Sequence, residues 1–339
     1  MPKAIALYSG GLDSTLAVLV MKKLGVEVIA VLFDTDFGCT VSRRSGGKAS
    51  SPAPESIGVT VETHYIGDKF IRHVTDPKFG HGKNMNPCID CKVLMLKEAK
   101  KLMDERGADF LITGEVLWQR PMSQRKDTLP KIEKEAGVAG LVVRPLSAKL
   151  MKPTMPEDNG LIDREKLYAM SGRSRKPQMA LAKELGLTAY AQPAGGCLLT
   201  DPIFSFRLRE LLSRTQTPSM KEVQLLRVGR HFRAGDGAKI IVGRDERDNQ
   251  SLQKLAEAED YLLHVTGNYG SPLVLAEPGI SEEGLNMAAA LCARYSGART
   301  LLVVPVKISR NEDSYLVEVP PAENAVIERL RIHPPSQNI

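Results

Sequence analysis

The sequence has no apolar run approaching the ~18 to 20 residues of a membrane span. Charged Lys3 is followed only by the short apolar stretch Ala4 to Tyr8 rather than by a leader's long apolar core, so a cytoplasmic protein with no membrane partner is expected. Cysteine is scarce, with 5 among 339 residues. In a cytoplasmic chain, so few thiols point to catalysis or metal ligation and away from structural disulfides. Only one Cys-x-x-Cys is present, with no second pair and no nearby Cys/His pair to complete a structural zinc site. Charge of one sign is not in great excess: 46 basic against 40 acidic residues give a net +6. That bias is compatible with a polyanionic partner without requiring one. Its excess lies almost wholly before residue 200, which places any electrostatic footprint on the first half.

What is present begins at Ser9-Gly10-Gly11-Leu12-Asp13-Ser14, between the apolar run Ala4 to Tyr8 and the helix-like run Thr15 to Met21. A strand that enters paired glycines and then a helix builds a nest of backbone N–H groups at a helix N-terminus, which favours phosphate. The loop is neither Gly-x-x-x-x-Gly-Lys-Ser/Thr nor Gly-x-Gly-x-x-Gly, so it is not a Walker loop or a dinucleotide turn. It resembles the PP-loop of the N-type ATP pyrophosphatases, which adenylate a carbonyl oxygen and release pyrophosphate. That resemblance implies ATP and Mg²⁺ as cofactors. Ser9, Gly10, Gly11 and Ser14 would then hold the pyrophosphate portion, and Asp13 would position the metal and act in catalysis.

Strand-length apolar runs at Ala4 to Tyr8, Val28 to Phe33, Val59 to Ile66, Phe110 to Thr113 and Leu141 to Val143 alternate with helical periodicity over Asp13 to Leu24 and Lys92 to Arg106. This predicts an α/β fold with a doubly wound, mainly parallel sheet and ligands at the carboxyl ends of its strands. Asp34, just past the second strand, is expected at the adenosine edge, and the Ser/Gly/Pro-rich stretch from Gly38 to Glu55 reads as a surface loop. After the amphipathic segment Phe206 to Arg214 the pattern changes to short strands. The expected organisation is therefore a PP-loop domain over 1–205, a linker over 206–221 and a smaller α+β domain over 222–330.

The second constellation is Asn86-Pro87-Cys88-Ile89-Asp90-Cys91-Lys92, opening a helix, with Cys197 far downstream after two glycines. A thiol pair at a helix start suits redox exchange, half of a zinc site, or a cluster completed by a distant cysteine. Asn86-Pro-x-x-x-Cys91 and Gly196-Cys197-Leu198 resemble the two cysteine segments of tRNA 2-thiouridylases. Thr113-Gly114-Glu115-Val116-Leu117-Trp118-Gln119, with Ser123-Gln124, resembles a motif of tRNA 4-thiouridine synthetases and adds Gly114 to the nucleotide-binding set. That family usually has glycine where this chain has Trp118. The second resemblance is the closer one and covers roughly residues 1–200. Some archaeal members carry a cysteine pair plus a third cysteine, which implies a [4Fe-4S] cluster on Cys88, Cys91 and Cys197. A persulfide relay between Cys91 and Cys197, the two catalytic cysteines, is the competing reading.

The resemblance implies an ATP-dependent tRNA sulfurtransferase that makes 4-thiouridine rather than 2-thiouridine. Its sulfur donor would be sulfide or a cysteine desulfurase, and a homodimer is possible. The chain begins at the loop, whereas bacterial 4-thiouridine synthetases carry an RNA-binding region before it, so RNA binding is expected from elsewhere. Residues 222–320, through Ile241 to Asp245, Tyr261 to Val265 and the helix Asn286 to Tyr295, resemble the NFACT-family RNA-binding domain. Arg120, Lys126, Arg173, Arg175 and Lys176 form a looser basic set able to meet tRNA phosphates. The alternative function is an RNA-binding or quality-control factor whose PP-loop domain senses nucleotide; another PP-loop amidation or sulfur reaction is a third.

Overall fold

The computed structural model describes residues 1–38, 57–190 and 197–334. Cys39, most of the loop expected over Gly38 to Glu55, and Gly195-Gly196 lie outside the described residues. The chain divides into two compact units, Met1–Asp201 and Pro202–Ile339.

The first unit runs β1 (Lys3–Leu7), α1 (Leu12–Lys23), β2 (Glu27–Asp34), β3 (Val61–Tyr65), α2 (Gly67–Thr75), α3 (Cys88–Glu105), β4 (Phe110–Thr113), α4 (Thr128–Ala136), β5 (Val142–Val143), α5 (Met155–Asp158) and α6 (Lys176–Glu184). Among the described residues its five strands form one parallel sheet in the order β3-β2-β1-β4-β5. The core strands read as unbroken apolar runs because helices cover both faces. Ala4, Ile5 and Ala6 of β1 and all of Phe110–Thr113 are buried. Helix α1 buries most of its circumference, from Leu12 to Met21, and leaves Lys22 and Lys23 in its last turn, where the helix dipole favours cations. The chain leaves central β1 toward β2 and β3, then crosses back to place β4 on the other side of β1. The reversal opens a crevice at the carboxyl ends of β1 and β4, where open α/β sheets place their ligands. The expected doubly wound fold is thus what the chain adopts.

The second unit runs α7 (Pro202–Leu212), α8 (Met220–Leu225), β6 (Arg230–Arg233), β7 (Lys239–Val242), α9 (Glu246–Leu255), β8 (Tyr261–Val265), β9 (Val274–Ala276), α10 (Glu282–Arg294), β10 (Val304–Arg310), β11 (Asp313–Val319) and α11 (Asn324–Leu330). Its antiparallel sheet has the order β11-β10-β8-β9-β7-β6. Strand alternation sorts its two faces: Ile240 and Val242 join the core around α10, while Ile241 packs with Leu252 of α9 on the other side. The stretch 206–221, read from sequence as a linker, holds most of α7 and the start of α8. Phe204 and Leu208 of α7 are buried, and an apolar stripe of that kind makes a helix part of a packed unit. Cys292 is buried on α10, where burial pushes its thiol up to about 12, so it sits as a small apolar residue. Among the described residues no helix is long and apolar enough to cross a membrane.

Candidate active site

The loop between β1 and α1 is held by its own side chains. The Ser9 N–H donates to Ser14 Oγ at 3.3 Å, the two serine hydroxyls lie 3.2 Å apart, and the Ser14 and Thr15 hydroxyls donate to Gly11 O at 2.9 and 3.0 Å. Gly10 has φ +74°, left-handed backbone that glycine adopts without steric cost. Gly11 is the N-cap of α1 and has no side chain to cap it, so the amides of the first turn remain available to an anion.

Asp13, in that first turn, lines the crevice. Its Oδ2 accepts from the Gln119 side-chain amide at 3.0 Å, while buried Oδ1 has no hydrogen-bond partner. Burial pushes its carboxyl above the usual range, against the pull of Gln119, Arg175 and Arg120. Across from it, Gly114 follows β4 so closely that an added Cβ would lie 2.5 Å from Ser14 N and 2.6 Å from Asp13 O. Only glycine lets the carboxyl end of β4 meet the loop here, which explains the Thr-Gly-Glu sequence.

The crevice is a cavity of about 290 Å³, and Ser9, Gly11, Asp13, Ser14 and Gly114 share its lining with Cys88, Cys91 and Cys197. Fold, not sequence proximity, therefore brings all three cysteines to the loop. Cys88 and Cys91 reach it because α3 starts there. Asp90 fixes that start by accepting the Lys78 and Phe79 amides at 2.9 and 3.3 Å. Cys197 is brought in by a short segment sewn to the rest of the unit, with Leu198 N donating to Phe37 O, Met85 N to Leu199 O and the Asn84 side-chain amide to Thr200 O. The Cys88 thiol donates to Ser123 Oγ at 3.2 Å and the Cys197 thiol to Phe37 O at 3.6 Å. None of the described cysteines is in a disulfide. Among the described residues no three ligating side chains are gathered tightly enough to hold one metal ion.

Asp34 does not line the cavity; Val31 and Phe33 of the same strand do. Side chains two apart share a strand face, and Asp34 is on the opposite one, with its Oδ1 accepting the Asp36 amide at 3.1 Å. Gly10 also lies off the cavity lining. From the basic set, Arg175 and Arg120 do line it, and both bear electrostatically on Asp13.

Trp118 has φ +64°, the left-handed conformation that a glycine in its place would take freely. The loop therefore keeps the glycine geometry, at a cost of about 1–2 kcal/mol for an L side chain. Hydrogen bonds on both sides hold it there: Trp118 N donates to Gln124 O at 2.7 Å, and Gly172 N donates to Leu117 O at 2.7 Å.

Sequence reading missed a buried charge network, two members of which, Lys92 and Glu115, line the cavity. Glu115 Oε1 stands 3.1 Å from Lys92 Nζ, and Glu115 Oε2 accepts from Arg144 Nε at 2.9 Å and from the Thr113 hydroxyl at 3.1 Å; Arg144 also bonds Glu133. Burial alone would raise the Glu115 carboxyl, but Lys92 and Arg144 outweigh it and lower it to about 2. Burial likewise opposes the charge on Lys92, and the Glu115 carboxylate outweighs it, so the ammonium stays charged at the cavity wall beside Cys88. Removing one member strands its partners: Glu115→Ala should cost about 3–5 kcal/mol in urea unfolding. Because the folded carboxyl lies below its ordinary value of 4.5, its stabilisation is complete above that pH and is lost as pH falls toward 2. The stability difference between wild type and Glu115→Gln should therefore shrink over that window. A difference that does not change with pH would show that the carboxylate is not held by the two cations.

Comparison with known proteins places these features. Residues 1–150 match the family described as thiamine biosynthesis protein (ThiI), and residues 229–331 match the NFACT protein RNA binding domain. A probable tRNA sulfurtransferase of Methanosarcina mazei is 33% identical over 127 residues, covering 34% of this chain and 29% of the relative. A tRNA-specific 2-thiouridylase MnmA 2 of Clostridium botulinum is 27% identical over 124 residues, 35% of each chain. The chain thus spans about a third of the length of these curated relatives. Among solved structures, a 4-thiouridine synthetase–RNA complex with bound ATP is similar with a TM-score of 0.35 and 22% identity, covering 66% of this chain and 52% of that one. Residues 1–150 are thus similar to the ThiI family, and residues 229–331 of the same chain are similar to the NFACT protein RNA binding domain.

Proposed function

We propose that this protein is an ATP-dependent tRNA sulfurtransferase that adenylates a uridine carbonyl and then replaces the adenylated oxygen with sulfur. The single observation that carries this reading is that the phosphate-binding loop and three cysteines line one cavity. An activating site alone leaves open what attacks the adenylated carbon; thiols lining the same cavity favour sulfur.

The first step needs a nucleotide held at its phosphates. The uncapped amides at the start of α1 and the Ser9 and Ser14 hydroxyls suit the pyrophosphate portion of ATP. Asp13 Oδ1, buried without a hydrogen-bond partner, is the kind of atom a cation satisfies; Asp13 would hold Mg²⁺, and the ion would supply positive charge for the departing pyrophosphate. The uridine oxygen attacks the α-phosphorus and pyrophosphate leaves; sulfur then attacks the activated carbon and AMP leaves. Arg120 and Arg175 on the cavity wall supply positive charge for the phosphates of nucleotide and RNA.

The donor chemistry of Cys88, Cys91 and Cys197 fits a [4Fe-4S] cluster on three thiolates, which would supply the sulfide. The same cavity also supports a second reading, in which Cys91 and Cys197 relay a persulfide. There the terminal sulfur attacks carbon, the second thiol takes the inner sulfur as a disulfide, and a thiol reductant reopens the pair. The match to the ThiI family and the Thr113 to Gln124 segment favour 4-thiouridine over 2-thiouridine.

Labelled sulfur should enter tRNA only with ATP present, and anaerobically purified protein should contain iron and acid-labile sulfide. Iron-free protein that still thiolates would replace the cluster by the persulfide pair. Tight RNA binding with neither sulfur transfer nor pyrophosphate release would favour the nucleotide-sensing RNA factor.

A further inference from the structure

We infer that Trp118, next in the chain to the cavity-lining Gln119, is a stacking platform for an unpaired RNA base that neighbours the one entering the cavity; this rests on the proposed RNA substrate. Trp118 is the only tryptophan in the chain. It is 47% exposed, although burying so large an apolar ring is what folding ordinarily favours. It also holds a left-handed backbone conformation in a loop whose geometry suits glycine. An indole kept at a strained, wet position is not there for the core.

Its surroundings select the ligand. The next two residues, Gln119 and Arg120, line the cavity, and Gln119 donates to Asp13, so Trp118 is one peptide bond from a residue that holds the proposed activating group. The Arg125 guanidinium lies 5.8 Å from the ring centroid. The bridge between Leu117 and Ser171 brings the segment carrying Arg173, Arg175 and Lys176 alongside. Together with Arg120, Arg125 and Lys126 these make six cations over 117–127 and 171–176, against the single carboxylate of Asp127 among exposed side chains. An exposed aromatic face among cations is how proteins hold single-stranded nucleic acid, the ring stacking on a base while the cations meet phosphates. A protein partner would need a wider apolar surface than one ring set in charge.

The test uses the full chain, with tRNA and a single-stranded oligouridylate as probes. Because Trp118 is the sole tryptophan, its emission reports on this position alone, and saturating RNA should quench it. Trp118→Ala should weaken RNA binding about 5- to 100-fold, the range expected for losing one base–aromatic stack, while Trp118→Phe should keep most of the affinity. Trp118→Gly separates the ring from the loop: it relieves the left-handed strain and should raise the melting temperature by a few degrees, yet bind RNA as weakly as the alanine variant. RNA bound with unaltered emission, or with wild-type affinity by the alanine and glycine variants, overturns the platform and leaves the thiolation reading intact. Absence of any RNA binding by the wild-type chain overturns the RNA substrate and the platform with it.

Discussion

Replacing Asp13 by asparagine should slow RNA-dependent pyrophosphate release from ATP by about 10²- to 10³-fold, the usual loss when one preorganised electrostatic group is removed from a developing charge. The substitution keeps size and shape. The amide oxygen can still accept from Gln119 Nε2, which lies 3.0 Å from Oδ2, so the loop should hold its form and the melting temperature should stay close to that of wild type. What disappears is the negative charge at buried Oδ1, the atom that has no hydrogen-bond partner and is assigned here to Mg²⁺. A carboxylate buried beside phosphates is repelled by them unless a cation stands between. In its absence burial pushes the Asp13 carboxyl upward, and a bound cation should reverse that direction. Titrating Mg²⁺ gives the decisive comparison. The variant should need far more metal for half-maximal rate, and pyrophosphate release at the wild-type rate with the wild-type metal requirement would remove Asp13 from the mechanism.

How much of this was legible in the sequence depended on whether the signal is local. The PP-loop is six contiguous residues, the strand before it and the helix after it have clean periodicity, and the structure places all three as read. Cys88 and Cys91 were legible because they open a helix. Cys197 was legible only through the resemblance of its flanking residues, since nothing local says that it returns to the same cavity. The charge network was not legible. Its members come from α3, the end of β4, α4 and the end of β5, and Glu133 sits on α4 among lysines like any solvated helix carboxylate. Only the three-dimensional closure of the sheet makes Arg144 and Glu115 buried partners. Asp34 shows how fine the local signal must be: its strand was legible, but alternation along it puts Val31 and Phe33, and not Asp34, on the cavity lining. The helix Pro202–Leu212 shows the limit for boundaries, since its amphipathic pattern was visible while the unit it packs against was not.

Cys197→Ser should separate the two halves of the reaction, with sulfur incorporation into tRNA falling at least ~10⁴-fold, as when a covalent nucleophile is removed, and pyrophosphate release continuing. The separation follows from where each half is housed. In the proposed reaction activation is the task of the loop after β1, whereas Cys197 sits on a segment fastened to Phe37, Asn84 and Met85, which do not hold the loop. Serine fits that site. The thiol donates to Phe37 O at 3.6 Å, and a hydroxyl can donate to the same carbonyl, so the segment should keep its place. Loss of sulfur transfer would then be chemical: the hydroxyl is neither a soft metal ligand nor a carrier of persulfide sulfur. Cys292→Ser is the matched control, a buried thiol in the second unit's core, and should leave sulfur incorporation unchanged even where it costs stability. Adenylated RNA should accumulate in Cys197→Ser alone. The iron content of that variant then tells the two sulfur routes apart, because a cluster ligand lost costs bound iron whereas a relay cysteine lost leaves the metal content as it was. Thiolation at the wild-type rate by Cys197→Ser would mean that sulfur reaches the activated carbon without this residue, and would confine the chemistry to Cys88 and Cys91.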